Sequence, residues 1–186
     1  MEFMEKMITE YEYYDWNNLI GSEAKQRMVK DIDAVIDRGD YWTNSPPYQT
    51  NINIFGLQTE DWINLKMSFI WSCFAYMKTE RQIKSVKSWG YKTNIETQED
   101  RDRYWHQHLR DSSIVLSGVY YLSLPLDSDT QTSGTEFAPN GVDAGDYEFA
   151  PGKLGNWIIF PGKTWHRPGI LTSQEFRYIV ASDMEI

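Results

Sequence analysis

The sequence has little cysteine, little histidine and a shortage of positive charge. Its 186 residues include 1 Cys and 3 His, and 18 Lys and Arg stand against 27 Asp and Glu, a formal net charge of -9. The lone Cys73 excludes an internal disulfide framework and suits a reducing compartment, so we expect a cytoplasmic protein. The negative charge disfavours a nucleic-acid partner, because nucleic acids are bound by clustered basic residues.

Long apolar runs, repeats and linkers rich in Pro or Gly are also missing. No apolar stretch approaches the 18 or so residues of a membrane span, and the N-terminal segment has no signal-peptide core. We therefore expect no membrane association and a single domain over residues 1–186, a length sufficient for one hydrophobic core. No sequence pattern defines an oligomeric state.

Aromatic residues, by contrast, are abundant at 15%, with 8 Trp and 12 Tyr. Rings in such number pack in a core, line a pocket, or do both. The candidates for a pocket are Trp89, Tyr91, Trp105, Trp157 and Trp165, although each such ring more often packs in a core.

Two kinds of periodicity divide the chain. Apolar residues at helical spacing predict helices from Ser22 to Arg38 and from an N-cap at Thr59 onward. Runs of β-branched and aromatic residues predict strands at Ile114–Leu124, Trp157–Phe160 and Phe176–Ser182. We therefore predict a mainly β protein with N-terminal helices, in which residues 1–80 form a helical or mixed covering layer and residues 81–186 form an antiparallel jelly roll.

Two of the three histidines lie two positions apart, in His106-Gln107-His108. Side chains at that spacing share a face on a strand, so both imidazoles can approach one metal ion. The third, His166, follows a predicted strand after the turn at Pro161-Gly162, and a jelly roll brings such distant segments together. His166 is therefore the natural third ligand, although the same pattern also fits three solvated histidines.

Arg177 lies in an otherwise apolar strand, on the same face as Ile179 and Ala181. A guanidinium on an inward face is costly unless it meets an anion of matching geometry, and a carboxylate matches it best. Tyr121 is a candidate second donor to the same carboxylate. A metal site beside a buried arginine indicates a small anionic ligand that reaches both.

Together these segments resemble the iron(II)- and 2-oxoglutarate-dependent oxygenases, in the prolyl-hydroxylase-like branch of the double-stranded β-helix (cupin-like) fold. They are most similar to oxygenases of marine bacteria and their phages. The resemblance spans residues 85–183 and is carried by short segments in a fixed order: Ser88-Trp89, His106-Gln107-His108, Ser117-Gly118-Val119-Tyr120-Tyr121-Leu122, Phe160-Pro161, Trp165-His166 and Phe176-Arg177.

The resemblance implies that His106 and His166 bind iron(II). It also implies that 2-oxoglutarate is bound by Arg177, Tyr121 and Ser117. Most of the superfamily has His-x-Asp or His-x-Glu, whereas here His108 stands at the position of the carboxylate.

Two metal sites are consistent with that departure. In the one we prefer, His108 is the third ligand, and three imidazoles suit iron(II) but also zinc, nickel and copper. In the other, His108 does not bind the metal but contacts one of its ligands. Asp111 or Glu136 then supplies the carboxylate of an ordinary site with two histidines and one carboxylate.

The implied reaction is hydroxylation of an unidentified substrate, for example a prolyl peptide or a small metabolite, with release of succinate and CO2. Two other functions remain open. A cupin-like dioxygenase or isomerase with three histidines would not use 2-oxoglutarate and would not need Arg177. A non-catalytic jelly-roll binding module would need no metal.

Overall fold

The computed structural model describes residues 11–40, 48–97, 104–109, 114–129 and 133–186. Within these ranges the elements, in chain order, are β1 (Glu12–Asp15), α1 (Ser22–Asp37), β2 (Tyr48–Gln49), α2 (Glu60–Met77), β3 (Ser85–Thr93), β4 (Val115–Ser123), β5 (Gly134–Ala138), β6 (Glu148–Pro151), β7 (Asn156–Pro161), β8 (Trp165–Pro168) and β9 (Arg177–Glu185). None of the helices in the described ranges has the length and hydrophobicity that a membrane-spanning helix requires.

The strands form two antiparallel sheets. The larger sheet has the order β1-β7-β4-β9-β3-β2, and the smaller has the order β6-β5-β8. Strands that are adjacent in the larger sheet are far apart in sequence, as a jelly roll requires. The predicted fold class, mainly β with N-terminal helices and a jelly-roll core, is confirmed.

Helix α2 shows how the local sequence sets an element. The side chain of Thr59 accepts a hydrogen bond from the Trp62 backbone N–H, and two acidic residues occupy the first turn, where they favour the positive end of the helix dipole. The helix then buries Trp62, Leu65 and Phe69 completely. Both predicted helices are confirmed, and α1 ends at Asp37, one residue before the predicted end.

The main core lies between the helices and the outer face of the larger sheet. Trp157 is fully buried there, with its ring centroid 4.8 Å from that of Phe69 and its Nε1 donating to Ser68 Oγ at 2.8 Å. Gly118 of β4 permits this packing, because a Cβ at that position would lie 2.8 Å from the Phe69 ring. Of the two roles considered for Trp157, core packing and pocket lining, the structure shows core packing.

The first 80 residues do more than cover the sheet. β1 pairs antiparallel with β7, and β2 pairs antiparallel with β3, so the N-terminal part of the chain supplies both edge strands of the larger sheet. The inner faces of the two sheets enclose the cavity described next.

Candidate active site

Backbone pairing brings the three histidines together. His106 forms an isolated antiparallel bridge with His166, in which each residue donates its N–H to the other's carbonyl at 3.1 and 3.0 Å. The His108 N–H donates to the Gly162 carbonyl at 2.7 Å. The His-x-His segment is thus held in an extended conformation along β8 and the turn before it, so that both of its imidazoles lie on one side.

The three imidazoles form a compact cluster. Their ring centroids are 4.2 Å apart for His106 and His166, 5.0 Å for His108 and His166, and 5.3 Å for His106 and His108. One potential ligand atom from each ring lies within 4.8 Å of the others. A single metal ion placed between the rings is therefore within reach of all three.

The hydrogen bonds of the rings define which nitrogen faces the metal position. Nδ1 lies 3.1 Å from the Tyr104 carbonyl in His106, 2.9 Å from the Thr164 carbonyl in His166, and 2.6 Å from Asp183 Oδ1 in His108. Carbonyl and carboxylate oxygens only accept, so each Nδ1 carries the proton. Each Nε2 is left with a lone pair, which is the state that a metal ligand needs.

The electrostatic environment keeps two of these rings neutral. Burial, together with the neighbouring His106 and His108, holds the pKa of His166 well below its usual range. Burial also lowers the pKa of His106, although part of its side chain reaches solvent. Both rings therefore lose their proton more readily than a free imidazole, which favours metal binding.

We expect the metal-free protein to lose stability as the pH falls below about 6.5, the ordinary pKa of histidine. The unfolded chain then binds a proton that the buried, folded His166 does not, so the free energy of unfolding falls by up to about 1.4 kcal/mol per pH unit for this histidine. Urea unfolding in the presence of a chelator, at several pH values between neutrality and mild acid, measures this slope. A His166→Leu protein should have a shallower slope, and equal slopes would contradict the assignment.

Arg177 lies on β9, six residues before Asp183, and lines the same cavity as the three histidines, which has a volume of about 250 Å³. Its side chain is only 2% exposed. Nε has no hydrogen-bond partner among the described residues, and the contact from an Nη to the Gly169 carbonyl is long, at 3.5 Å. Burial lowers the pKa of the guanidinium. A buried guanidinium with unused N–H donors needs an anion in the cavity to accept its hydrogen bonds and to balance its charge.

Hydroxyl groups surround that position. Tyr121 is 1% exposed, and its hydroxyl lies 2.9 Å from Thr135 Oγ1. Thr93 pairs with Arg177 across β3 and β9, lines the cavity, and has a buried hydroxyl without a described partner. Ser117 also lines the cavity but lies at the metal end, where its hydroxyl contacts His108 and Asp183. The role of Ser117 in binding 2-oxoglutarate stays a prediction.

The two alternative carboxylates are not in the described cluster. Glu136 is ion-paired with Arg167 at 2.6 Å. Its two neighbours on β5 both face inward, Thr135 towards the cavity and Phe137 towards the core between the sheets. A one-residue step on a strand turns a side chain to the other face, so Glu136 points away from the histidines. Asp111 lies outside the described residues.

Only part of the predicted aromatic lining is present. Trp89 and Tyr91 of β3 line the cavity, but Trp105 and Trp165 do not. Each of the latter two directly precedes a histidine in an extended segment, so its side chain turns the other way. The Trp105 ring instead stacks against the Arg167 guanidinium, whose Cζ lies 4.3 Å from the ring centroid.

The sequence analysis missed Asp183. It lies on β9, opposite Ser117 of β4, and accepts hydrogen bonds from the Ser117 hydroxyl at 2.7 Å and from His108. The predicted strand stopped at Ser182. Arg177, Ile179 and Ala181 were assigned to one face because they alternate along the strand. The same alternation, extended by two residues, places Asp183 on that face.

Comparison with known proteins identifies the fold. No protein-family model matches the chain, and no curated protein matches it. Solved structures are similar over nearly its whole length. AviO1 from Streptomyces viridochromogenes has a TM-score of 0.69 at 12% identity, covering 99% of this chain and 93% of that one.

Two other similar structures have described activities. SnoK, a non-heme α-ketoglutarate-dependent carbocyclase of nogalamycin biosynthesis, has a TM-score of 0.70 at 9% identity, covering 99% of this chain and 81% of that one. A collagen prolyl hydroxylase from Paramecium bursaria Chlorella virus-1, in complex with 2-oxoglutarate, has a TM-score of 0.60 at 11% identity, covering 95% of this chain and 96% of that one. The chain therefore has the jelly-roll fold of the non-heme 2-oxoglutarate-dependent oxygenases, as the sequence resemblance implies.

Proposed function

We propose that this protein is an iron(II)- and 2-oxoglutarate-dependent oxygenase that hydroxylates an uncharged substrate. One observation carries the proposal: three imidazoles converge at one end of a cavity whose other end holds a buried arginine without a described anionic partner. A metal ion would bind at the histidine end of that cavity, and a carboxylate would bind at the arginine end. 2-Oxoglutarate carries a metal-binding oxo acid at one end and a carboxylate at the other.

The residues present fit both groups. Imidazole is a good ligand for iron(II), and three ligands on one side leave coordination positions for other molecules. Arg177, with Tyr121 and Thr135 beside it, offers charged and neutral donors for a carboxylate. Bound together, iron(II) and 2-oxoglutarate would supply the chemistry, in which 2-oxoglutarate and O2 become succinate and CO2 and one oxygen atom enters a C–H bond of the substrate.

The chain's own contribution to that reaction is positional. The hydrogen bonds to Nδ1 hold the three rings with Nε2 towards the metal position, so no reorganisation is needed when the metal binds. Arg177 fixes the far end of the co-substrate and thereby the distance of its reactive end from the histidines. Substituting Lys at this position would keep the charge but lose the two-pronged contact.

The character of the rest of the cavity supports an uncharged substrate. Among the described lining residues, the only charged side chains apart from the histidines are Arg177 and Arg167, and Arg167 is neutralised by Glu136. The remaining wall includes Trp89, Tyr91 and Ile179. The net charge of -9 is also unfavourable for a polyanionic substrate. An apolar small molecule or a neutral peptide side chain suits this wall.

The test uses protein prepared without oxygen. Iron(II) is added first and 2-oxoglutarate second, while the visible metal-to-ligand charge-transfer band is followed. We expect a band that requires both additions, and succinate when O2 is admitted. Iron binding without a band would favour the cupin-like enzyme that does not use 2-oxoglutarate, and failure to bind any metal would favour the binding module.

A further inference from the structure

The superfamily pattern has a carboxylate among the metal ligands. Here a carboxylate, that of Asp183, instead contacts one of the histidines, on the side of the ring away from the metal position. Asp183 Oδ1 lies 2.6 Å from His108 Nδ1 and also accepts a hydrogen bond from Ser117 Oγ at 2.7 Å. The side chains of His108 and Asp183 are only 18% and 13% exposed. The contact is therefore short, charge-assisted and largely removed from water.

The position of Asp183 on its strand makes this contact unusual. It continues the inward face of β9 on which Arg177, Ile179 and Ala181 line the cavity. A carboxylate on an inward face needs a compensating positive charge. Among the described residues no lysine or arginine forms an ion pair with Asp183, and its hydrogen bonds come from a hydroxyl and an imidazole. The cation that fits this environment is a metal ion on the other side of the imidazole.

We propose that His108 and Asp183 act together as one anionic metal ligand, in which the imidazole supplies the nitrogen and the carboxylate supplies the charge. This inference rests on the proposed function of the site. Three neutral imidazoles leave a dication with its full charge of about +2, whereas an adjacent carboxylate lowers the net charge of the site to about +1, as in a site with two histidines and one carboxylate. The hydrogen bond from Nδ1 also makes Nε2 a stronger electron donor.

The experiment compares Asp183→Asn with a matched control, Asp33→Asn. Asparagine at 183 keeps the shape and one accepting oxygen but removes the charge. Asp33 accepts hydrogen bonds from Tyr178 and Lys92 on the helix side of the sheet, so its replacement removes a carboxylate that contacts the same strand away from the cavity. The measured quantities are the anaerobic affinity for iron(II), the energy of the charge-transfer band with 2-oxoglutarate, and the melting temperature of the metal-free protein.

We expect Asp183→Asn to weaken iron(II) binding by about 10- to 100-fold and to shift the band to higher energy, with no loss of stability in the metal-free protein. Asp33→Asn should do the opposite, lowering the melting temperature without changing iron(II) affinity. If Asp183→Asn does not fold, Ser117→Ala, which removes one hydrogen bond to the carboxylate, should still weaken iron(II) binding several-fold.

The outcomes separate this inference from the proposed function. Wild-type protein that binds iron(II) and 2-oxoglutarate, together with an Asp183→Asn variant of equal affinity and unshifted band, would overturn the inference alone. Wild-type protein that binds no metal would overturn both. A variant that loses stability and affinity to the same extent would assign Asp183 a structural role and overturn the paired ligand.

Discussion

Replacing Arg177 by methionine is expected to weaken 2-oxoglutarate binding strongly and to stabilise the ligand-free protein. The two effects have one cause. The guanidinium is 2% exposed and its Nε has no described partner, so the fold bears the cost of a buried charge that only a bound anion offsets. Methionine has a similar length and no charge. Replacing buried ion pairs by well-packed apolar residues of similar volume is often neutral or stabilising by about 1–4 kcal/mol. We expect a gain here because the ligand-free Arg177 has no ion-pair partner among the described residues to lose.

The loss of affinity should be large because the co-substrate would then bury its carboxylate without a cation. Removing one partner of a buried, hydrogen-bonded charge pair costs about 2–5 kcal/mol, which is a weakening of about 30-fold or more. Calorimetric titration of the iron-loaded protein with 2-oxoglutarate measures the affinity, and urea unfolding of the ligand-free protein measures the stability.

Arg167→Met is the matched control for this experiment. Arg167 lines the same cavity but is ion-paired with Glu136 at 2.6 Å and stacked on Trp105. Its removal leaves Glu136 without that partner, so stability should fall slightly while 2-oxoglutarate still binds. An Arg177→Met protein that is less stable and still binds 2-oxoglutarate would show that the arginine serves the fold rather than a ligand.

Loss of any one of the three histidines is expected to weaken iron(II) binding by about a hundredfold or more, since each removes one of three protein ligands. His166→Leu should have the largest effect, because this ring is 5% exposed and is the most buried of the three. Competition with a coloured chelator under anaerobic conditions measures the affinities. The variant Gln107→Ala is the control, because it changes the middle of the His-x-His segment, where the side chain contacts the Lys163 carbonyl.

His108→Leu is the decisive member of this series. The structure brings its ring within 5.0 Å of His166, centroid to centroid, and its Nδ1 is occupied by Asp183. If this variant bound iron(II) as tightly as the wild-type protein, a carboxylate would be the third ligand. Asp111 would then be the residue to replace next, because Glu136 is paired with Arg167 on the other face of β5.

Features that depend on neighbouring residues in the chain could be predicted from the sequence. The N-cap at Thr59, the apolar period of α2 and the alternation of β9 are local patterns, and each corresponds to an observed element. Arg177 was identified in the same way, since an arginine among inward-facing apolar residues is conspicuous without knowledge of the fold. The spacing of His106 and His108 likewise placed both rings on one side of an extended segment.

Alternatives stayed open where a local pattern has two possible outcomes. Trp157 and Trp89 are both aromatic residues on strands, yet Trp157 faces the helices and Trp89 faces the cavity. Glu136 was a candidate ligand by its position in the chain, and the register of β5 turned it outward. Which face of a sheet is covered by helices depends on packing between distant segments.

The sequence by itself determined the two α-helices, three of the nine described strands (β4, β7 and β9), the paired histidines and the inward arginine, because periodicity of 2 or 3.6 residues is a local property of the backbone. The tertiary structure alone decided that His166 pairs with His106, that Asp183 supports His108, and that Tyr121 and Thr135 stand beside Arg177. These contacts join residues on different strands, so they depend on strand order and register, which are set by burial of the whole core.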